Sequence, residues 1–307
     1  MEEWLIYPVV GITAAAFAAY VLLRPRKTVI FLDKTRKLAQ IVDIHEVSHD
    51  TKRFRLSLGG KRTVLGLPVG KHLMIYFPNA KKCTLGCTWN GRPDPDGGRE
   101  EIERKYTPIT GDEALGYVDL MVKIYRPGTV NTPGGETVWE DGGKCSGYLD
   151  EKRVGDSIDL KGPFGFIEYL GCGKFKVPGG TRDVRHVAMI AGGSGITPML
   201  QVLMASLRDK DECQFSMIYG NKTKDDILCK PMLDTLKGRL NLTYTLDYPP
   251  LGWTGKTGFI TADMVKEALP SPEFNPLVLL CGPPGMMEAA RRNLDSLGYD
   301  PSSVQVF

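Results

Sequence analysis

The strongest constraint on the fold is an alternation that begins near residue 185. The short apolar runs "HVAMIAG", "CQFSMIYGN", "LNLTYTLDY" and "PLVLLCG" are interleaved with helix-like "PMLQVLMASLRD", "DDILCKPMLDTLKG" and "MMEAARRNLDSLG". Near-continuous apolar runs of this length read as strands buried on both faces. Strands joined through helices return in the same direction, so this region is expected to form a parallel sheet.

Two turns in this region hold several glycines. "AGGSGITPML" (191–200) and "CGPPGMM" (281–287) each end an apolar run and open a helix. Ligands bind open α/β sheets at the carboxyl ends of strands. Glycine lets backbone approach a ligand closely and leaves N–H groups for an anion. Thr197 is expected as the helix N-cap and Pro198 as the first helical residue. The first turn is not G-x-G-x-x-G, because Pro198 stands where the third glycine would fall. A Walker loop also fails. "GKT" at 255–257 has Pro250 at the required first glycine, and "GGK" at 142–144 is followed by Cys145.

Residues 38–165 read differently. "QIVDIHEV", "KRFRLSL", "KHLMIYF" and "YVDLMVKIYR" are short and punctuated by Gly and Pro, which suggests a small antiparallel barrel or sandwich. "NAKKCTLGCTWNGRPDPDGGREE" (79–101) reads as an extended polar loop without regular structure. At the N-terminus, "WLIYPVVGITAAAFAAYVLL" (4–23) contains no charged residue. Twenty residues of helix span roughly 30 Å, so this run is expected to be a transmembrane anchor. Residues 24–37 carry six Lys or Arg against one Asp, which puts the rest of the chain on the cytosolic side.

With 307 residues the chain has room for about two domains. A net charge of +3, spread along the chain, gives no support to nucleic-acid binding. Seven irregularly spaced cysteines read as free thiols in a reducing compartment. No metal site is expected. His45 and His49 are four apart in a strand-like region, and Cys83 and Cys87 lack a second ligand pair.

The motifs "RKYTPIT" (104–110), "VKIY" (122–125), "GGKCSGYL" (142–149), "GPFG" (162–165), "AGGSGITPM" and "CGPPGMM" follow one another in that order. The chain thereby resembles the ferredoxin–NADP reductase superfamily, and within it the membrane-bound NADH–cytochrome b5 reductase family, over about residues 38–307. The resemblance implies an α+β two-domain protein: an antiparallel β-barrel FAD domain (38–170), then an α/β parallel-sheet NADH domain (171–307), after an anchor and basic linker (1–37). It implies that Arg104 pairs with the FAD pyrophosphate, that Tyr106 covers the isoalloxazine ring, and that Thr107 reaches the ring near N5, with Lys105 and Pro108 in the same motif. Lys123 and Tyr125 would lie beside the cofactor. Gly143, Lys144, Cys145 and Ser146 would face the diphosphate, with Cys145 where relatives commonly carry Met. His72 would continue a proton route from Thr107. Gly192, Gly193, Gly195 and Thr197 would face the dinucleotide. Cys281 would orient the nicotinamide, with Gly282, Pro283 and Met286 around it. Asp226 would bond a ribose hydroxyl and favour NADH over NADPH.

The implied activity is hydride transfer from NADH to FAD, then single electrons to cytochrome b5. The expected form is a monomer at the endoplasmic reticulum or the mitochondrial outer membrane. Two alternatives stand beside it: a related FAD-dependent NAD(P)H reductase with another acceptor, and an inactive membrane-tethered nucleotide-binding scaffold.

Overall fold

The computed structural model describes residues 28–79, 85–132, 135–236 and 238–307. The apolar run 4–23 lies outside them. Among the described residues, no helix is long and apolar enough to cross a membrane.

The first half is built on β1 (Lys37–Ser48), β2 (Thr51–Ser57), β3 (His72–Pro78), β4 (Glu101–Tyr106), β5 (Tyr117–Lys123), helix α1 (Lys144–Asp150) and β6 (Ser157–Phe164). The strands form one antiparallel sheet in the order β4–β3–β6–β1–β2–β5. Its end strands, β4 and β5, do not pair directly. The chain just past β4 fills the gap instead: Ile109 N–H donates to the Asp119 carbonyl at 3.0 Å, and Asp119 N–H donates to Thr110 Oγ1 at 3.0 Å. The sheet curls around one core that draws Ile41, Phe54, Ile75, Ile102, Leu120 and Leu160 from its six strands. So the expected antiparallel barrel is present as a sheet that closes through a loop.

The second half comprises β7 (His186–Gly192), α2 (Ile196–Arg208), β8 (Gln214–Asn221), α3 (Lys230–Thr235), β9 (Leu240–Leu246), β10 (Lys256–Thr257), α4 (Ala262–Ala268), β11 (Leu277–Cys281), α5 (Pro284–Ser296) and β12 (Val304–Val306). All pairings in its sheet are parallel, in the order β10–β9–β8–β7–β11–β12. Successive residues of β7 face opposite layers. Val187, Met189 and Ala191 join the core under α2, while Ala188 and Ile190 join the core under α4 and α5. Burial on both faces explains the unbroken apolar run, and each Leu or Ile fully removed from water adds about 1.5–3 kcal/mol.

The chain runs outward from β7 to β10, then returns to place β11 on the other side of β7. The strand order therefore reverses between β7 and β11. Both glycine-rich turns leave the sheet at that point. A smaller three-stranded sheet (Glu168–Gly171, Lys174–Val177, Gly180–Asp183) joins the halves, and its Tyr169, Phe175 and Val177 pack into the second core.

Three local expectations need correction. The helix expected across "DDILCKPMLDTLKG" spans only Lys230–Thr235. Ile227 is extended and buried with Leu228 in the core, and Cys229 has φ +57°. Thr197 is not an N-cap. A 3₁₀ turn at Gly193–Gly195 runs straight into α2, so Ile196 is the first helical residue and Pro198 the third. The Thr197 hydroxyl turns back onto the Ser194 carbonyl at 3.2 Å. Finally, the polar loop 79–101 contains a small hairpin. Thr88–Trp89 pairs with Arg92–Pro93 across Asn90 and Gly91, at φ +49° and +69°. Asn-Gly suits a tight turn with both φ positive.

Candidate active site

Strand β4 ends on Arg104, Lys105 and Tyr106, and Thr107–Pro108 follow it. Beside it lies the turn Gly142–Gly143, which opens α1. Tyr106 and Cys145 share a side-chain contact, so β4 and the start of α1 meet in one place. Burial and Tyr125 position this turn. Gly143 N–H donates to the Tyr125 carbonyl at 2.8 Å, and Tyr125 N–H donates to Ser146 Oγ at 3.2 Å. The Ser146 hydroxyl in turn lies 3.4 Å from the Gly143 carbonyl, so it serves the turn itself.

The charges at this place are unusual. Lys144 is buried, and its ammonium donates to Asp94 Oδ1 and Oδ2 at 2.7 and 2.6 Å and to Asp96 Oδ2 at 3.2 Å. Arg104 donates through Nη2 to Asp96 and through Nη1 to the Glu103 carbonyl at 2.8 Å. A guanidinium has five N–H donors, so Arg104 retains others. Arg99 also pairs with Asp96, at 3.6 Å. Arg99 meets Glu103 more closely, so Arg99, Arg104 and Lys144 face three carboxylates, Asp94, Asp96 and Glu103, and the charges balance. Such a set, with free guanidinium donors, fits a diphosphate such as that of FAD. Lys144 can contribute only through its backbone, because its ammonium donors are taken.

His72 opens β3 and is 8% exposed. Burial first, then the charges of Lys105 and Lys71, pull its pKa down to about 4, so the ring is neutral near pH 7. No hydrogen bond joins Thr107 to His72. The same Lys105 charge also reaches Cys281 at the end of β11, across from the first half. Burial raises the Cys281 thiol to about 11, so it stays protonated and is a poor nucleophile.

The two glycine turns touch. A Cβ on Gly195 would lie 2.2 Å from the Cys281 carbonyl oxygen and 3.0 Å from Gly282 N. A Cβ on Gly282 would meet Met286 Cε at 2.4 Å and Gly192 N at 3.1 Å. Pro283 and Met286 close over Gly192. Gly193 differs: its φ is +52°, and a Cβ there would meet nothing. Its carbonyl accepts the Tyr219 hydroxyl at 2.9 Å. Beside Tyr219 is Asn221, 7% exposed, whose amide lies against the Tyr219 hydroxyl without a well-formed hydrogen bond.

A charge cluster ties the halves together. Lys123, at the end of β5, places its ammonium 2.7 Å from Asp50 Oδ2 and 2.9 Å from Asp226 Oδ1. Asp226 Oδ2 accepts Thr223 N–H at 3.0 Å and the Thr223 hydroxyl at 2.7 Å. His49 joins the edge of the group, 4.0 Å from Asp226. His49, Asp50 and Asp226 converge closely enough to hold a cation, and the Lys123 ammonium supplies that charge. An open groove of about 580 Å³ runs past Thr223, Asp225, Asp247 and Tyr248 next to this cluster. A second tie is made by Gln201 of α2, which accepts Gly70 N–H at 2.6 Å, two residues before His72. Tyr125 lies two residues past β5, 40% exposed, with its ring 5.5 Å from Trp139.

Asp50, Asp94, Asp96, Gln201, Tyr219 and Asn221 were not legible as site residues. All of them lie outside the ordered motifs, and Asn221 is signalled only by its place at a strand end. The free-thiol expectation also needs correction. Cys145, Cys172, Cys213, Cys229 and Cys281 are free, but Cys87 is disulfide-bonded.

The oxidoreductase FAD-binding domain family matches residues 38–88 and 94–169, and the oxidoreductase NAD-binding domain family matches residues 189–292. Fold and site together define a two-domain oxidoreductase of ferredoxin–NADP reductase type that uses FAD and a nicotinamide dinucleotide. The chain is 40% identical over 300 residues to NADH-cytochrome b5 reductase 1 of Bos taurus, covering 93% of this chain and 90% of that one. It is 41% identical over 276 residues to NADH-cytochrome b5 reductase 2 of Danio rerio, covering 86% and 82%. The chain belongs to the NADH–cytochrome b5 reductase family. Among solved structures, the cytochrome b5 reductase domain of Ulva prolifera nitrate reductase superposes with a TM-score of 0.78 at 34% identity, covering 90% of this chain and 99% of that one.

Proposed function

We propose that this protein carries reducing equivalents from NADH through FAD to cytochrome b5. The observation that carries this reading is the strand-order reversal between β7 and β11, where two mutually packed glycine turns leave the sheet within reach of the Lys105 charge on the first half. Bound FAD supplies hydride acceptance and release of electrons one at a time. The chain supplies alignment. In this reading residues 38–170 hold FAD and 171–307 hold NADH.

Arg104 binds the diphosphate through its remaining N–H donors, and the turn Gly143–Ser146 lines it with backbone. Tyr106 and Thr107 border the flavin ring, with Lys105 and Pro108 fixing the strand end. Gly193 carries the dinucleotide backbone-first, Gly192 and Gly195 hold the two turns together behind it, and Thr197 stabilises the turn. Cys281, Gly282, Pro283 and Met286 orient the nicotinamide, the protonated thiol acting by shape. Neutral His72 is available near Thr107 to accept or relay a proton. Lys123 and Tyr125 bound the seam.

Asp226 selects the nucleotide. Its carboxylate has about four acceptor sites, of which Lys123 and Thr223 occupy three. One remains for a ribose hydroxyl, and the negative charge disfavours a 2′-phosphate. Purified protein should reduce cytochrome b5 with NADH far faster than with NADPH, and Asp226→Thr should narrow that ratio by roughly tenfold or more. Loss of cytochrome b5 reduction by the unsubstituted protein would sink the function. An unchanged ratio in the variant would remove Asp226 from its role.

The apolar run 4–23 is assigned as a membrane anchor that keeps the reductase beside a membrane-held acceptor and raises its effective concentration. The catalytic part is taken as a cytosolic monomer on the endoplasmic reticulum or outer mitochondrial membrane. Deleting residues 1–23 should leave NADH-dependent activity in the soluble fraction, and persistent sedimentation with membranes would contradict the anchor.

A further inference from the structure

The loop before β4 stands apart from every motif used above. The match to the FAD-binding family breaks between residues 88 and 94, where the Asn90–Gly91 hairpin lies. This loop is docked with care. Asn90 brackets the turn that opens α1: its side-chain carbonyl accepts Asp141 and Gly142 N–H at 2.8 and 3.1 Å, and its amide donates to the Gly142 carbonyl at 2.9 Å. Trp89 Nε1 donates to the same carbonyl at 2.8 Å. The far arm then delivers Asp94 and Asp96. Asp94 is spent on Lys144 in a pair that is almost wholly buried, with side-chain exposures of 1% and 4%. Asp96 is also buried, and it meets Arg104, Lys144 and Arg99. Burial alone would push the Asp96 carboxyl up, but Arg104 and Lys144 outweigh it and hold it below the usual carboxylate range. Asp96 is therefore an ionised group fixed from behind by buried Lys144 and paired in front with the more exposed Arg104.

We propose that Asp96 is a positioning residue for FAD, one that fixes the Arg104 guanidinium in place and leaves its remaining donors for the cofactor diphosphate. This rests on the reading of Arg104 as the diphosphate partner. An unrestrained Arg side chain gives up considerable rotamer freedom when it binds, and anchoring it beforehand removes part of that cost. The opposing effect is repulsion between the carboxylate and the phosphates. Arg99, Arg104 and Lys144 balance Asp94, Asp96 and Glu103, so the Asp96 charge is already compensated and alignment outweighs repulsion.

The test is flavin rebinding to the full chain after its flavin is removed, followed by flavin fluorescence with FAD and, separately, with riboflavin, which lacks the diphosphate. Asp96→Asn should raise the Kd for FAD by about tenfold and leave the Kd for riboflavin within about twofold. Asp96→Glu, which keeps the charge, should recover most of the FAD affinity. In an Arg104→Ala background, Asp96→Asn should have no further effect, because its route to FAD is gone. Unchanged or tighter FAD binding by Asp96→Asn would overturn the proposal. So would equal losses for FAD and riboflavin, or full additivity with Arg104→Ala. In each of those results the unsubstituted protein still binds FAD, so the functional reading stands. No FAD binding by the unsubstituted protein would overturn both.

Discussion

Gly195→Ala should destabilise the second half by about 2–3 kcal/mol and slow NADH-driven flavin reduction by about a hundredfold. The added methyl would lie 2.2 Å from the Cys281 carbonyl oxygen, 2.6 Å from its carbon and 3.0 Å from Gly282 N. These are backbone atoms of the neighbouring turn, and they cannot swing aside as a side chain would. Relief requires the two turns to separate. Their separation moves Gly193 and Cys281 relative to each other, and a shift near 1 Å in a reacting geometry is enough for the predicted rate loss. FAD content should be unchanged, because Arg104, Tyr106 and the α1 turn belong to the first half. Gly193→Ala provides the contrast. Its methyl meets no protein atom, so its stability cost should be only the left-handed backbone term, about 1–2 kcal/mol. Thermal melts and single-turnover rates decide the matter. A Gly195→Ala protein that melts and reduces like the parent would contradict the packed-turn account.

Arg104→Ala should raise the Kd for FAD by about 10- to 100-fold, the loss of one or two charge-assisted hydrogen bonds at about 1.5–3 kcal/mol. The fold should survive, since Asp96 keeps Lys144 at 3.2 Å and Arg99 at 3.6 Å and no carboxylate is left orphaned. Arg104→Lys should recover charge but not the planar fork, and so only part of the affinity. Flavin content after gel filtration, with FAD titration of the stripped protein, measures the effect. Full occupancy and normal turnover in Arg104→Ala would remove it from the diphosphate.

These residues also mark how far the sequence carried the account. "HVAMIAG" was readable as a central strand because both of its faces are buried, which leaves no polar position in the run. The glycines of "AGGSGITPML" were readable as a ligand turn, yet for an incomplete reason. Gly195 is small because of the Cys281 backbone beside it, 86 positions away, and only Gly193 is open. The Thr197 cap failed because a 3₁₀ turn takes up the chain before the α-helix starts. Nothing local announces that a Lys and an Asp 103 positions apart will pair across the seam. The 79–101 loop was misread for a related reason. Its Pro, Gly and Asp content describes a loop well enough, but its partners Gly142 and Lys144 lie about 50 residues downstream.

The central claim is that the glycine turns of one half present a nicotinamide to a flavin held by the other. Anaerobic stopped-flow mixing of the FAD-loaded protein with NADH, followed by oxidised cytochrome b5, tests it most directly. The account predicts that NADH bleaches the flavin absorbance at least as fast as steady-state turnover, that NADPH does so far more slowly, and that cytochrome b5 then restores the oxidised spectrum while it is itself reduced. A flavin that binds but is not bleached by NADH would contradict it.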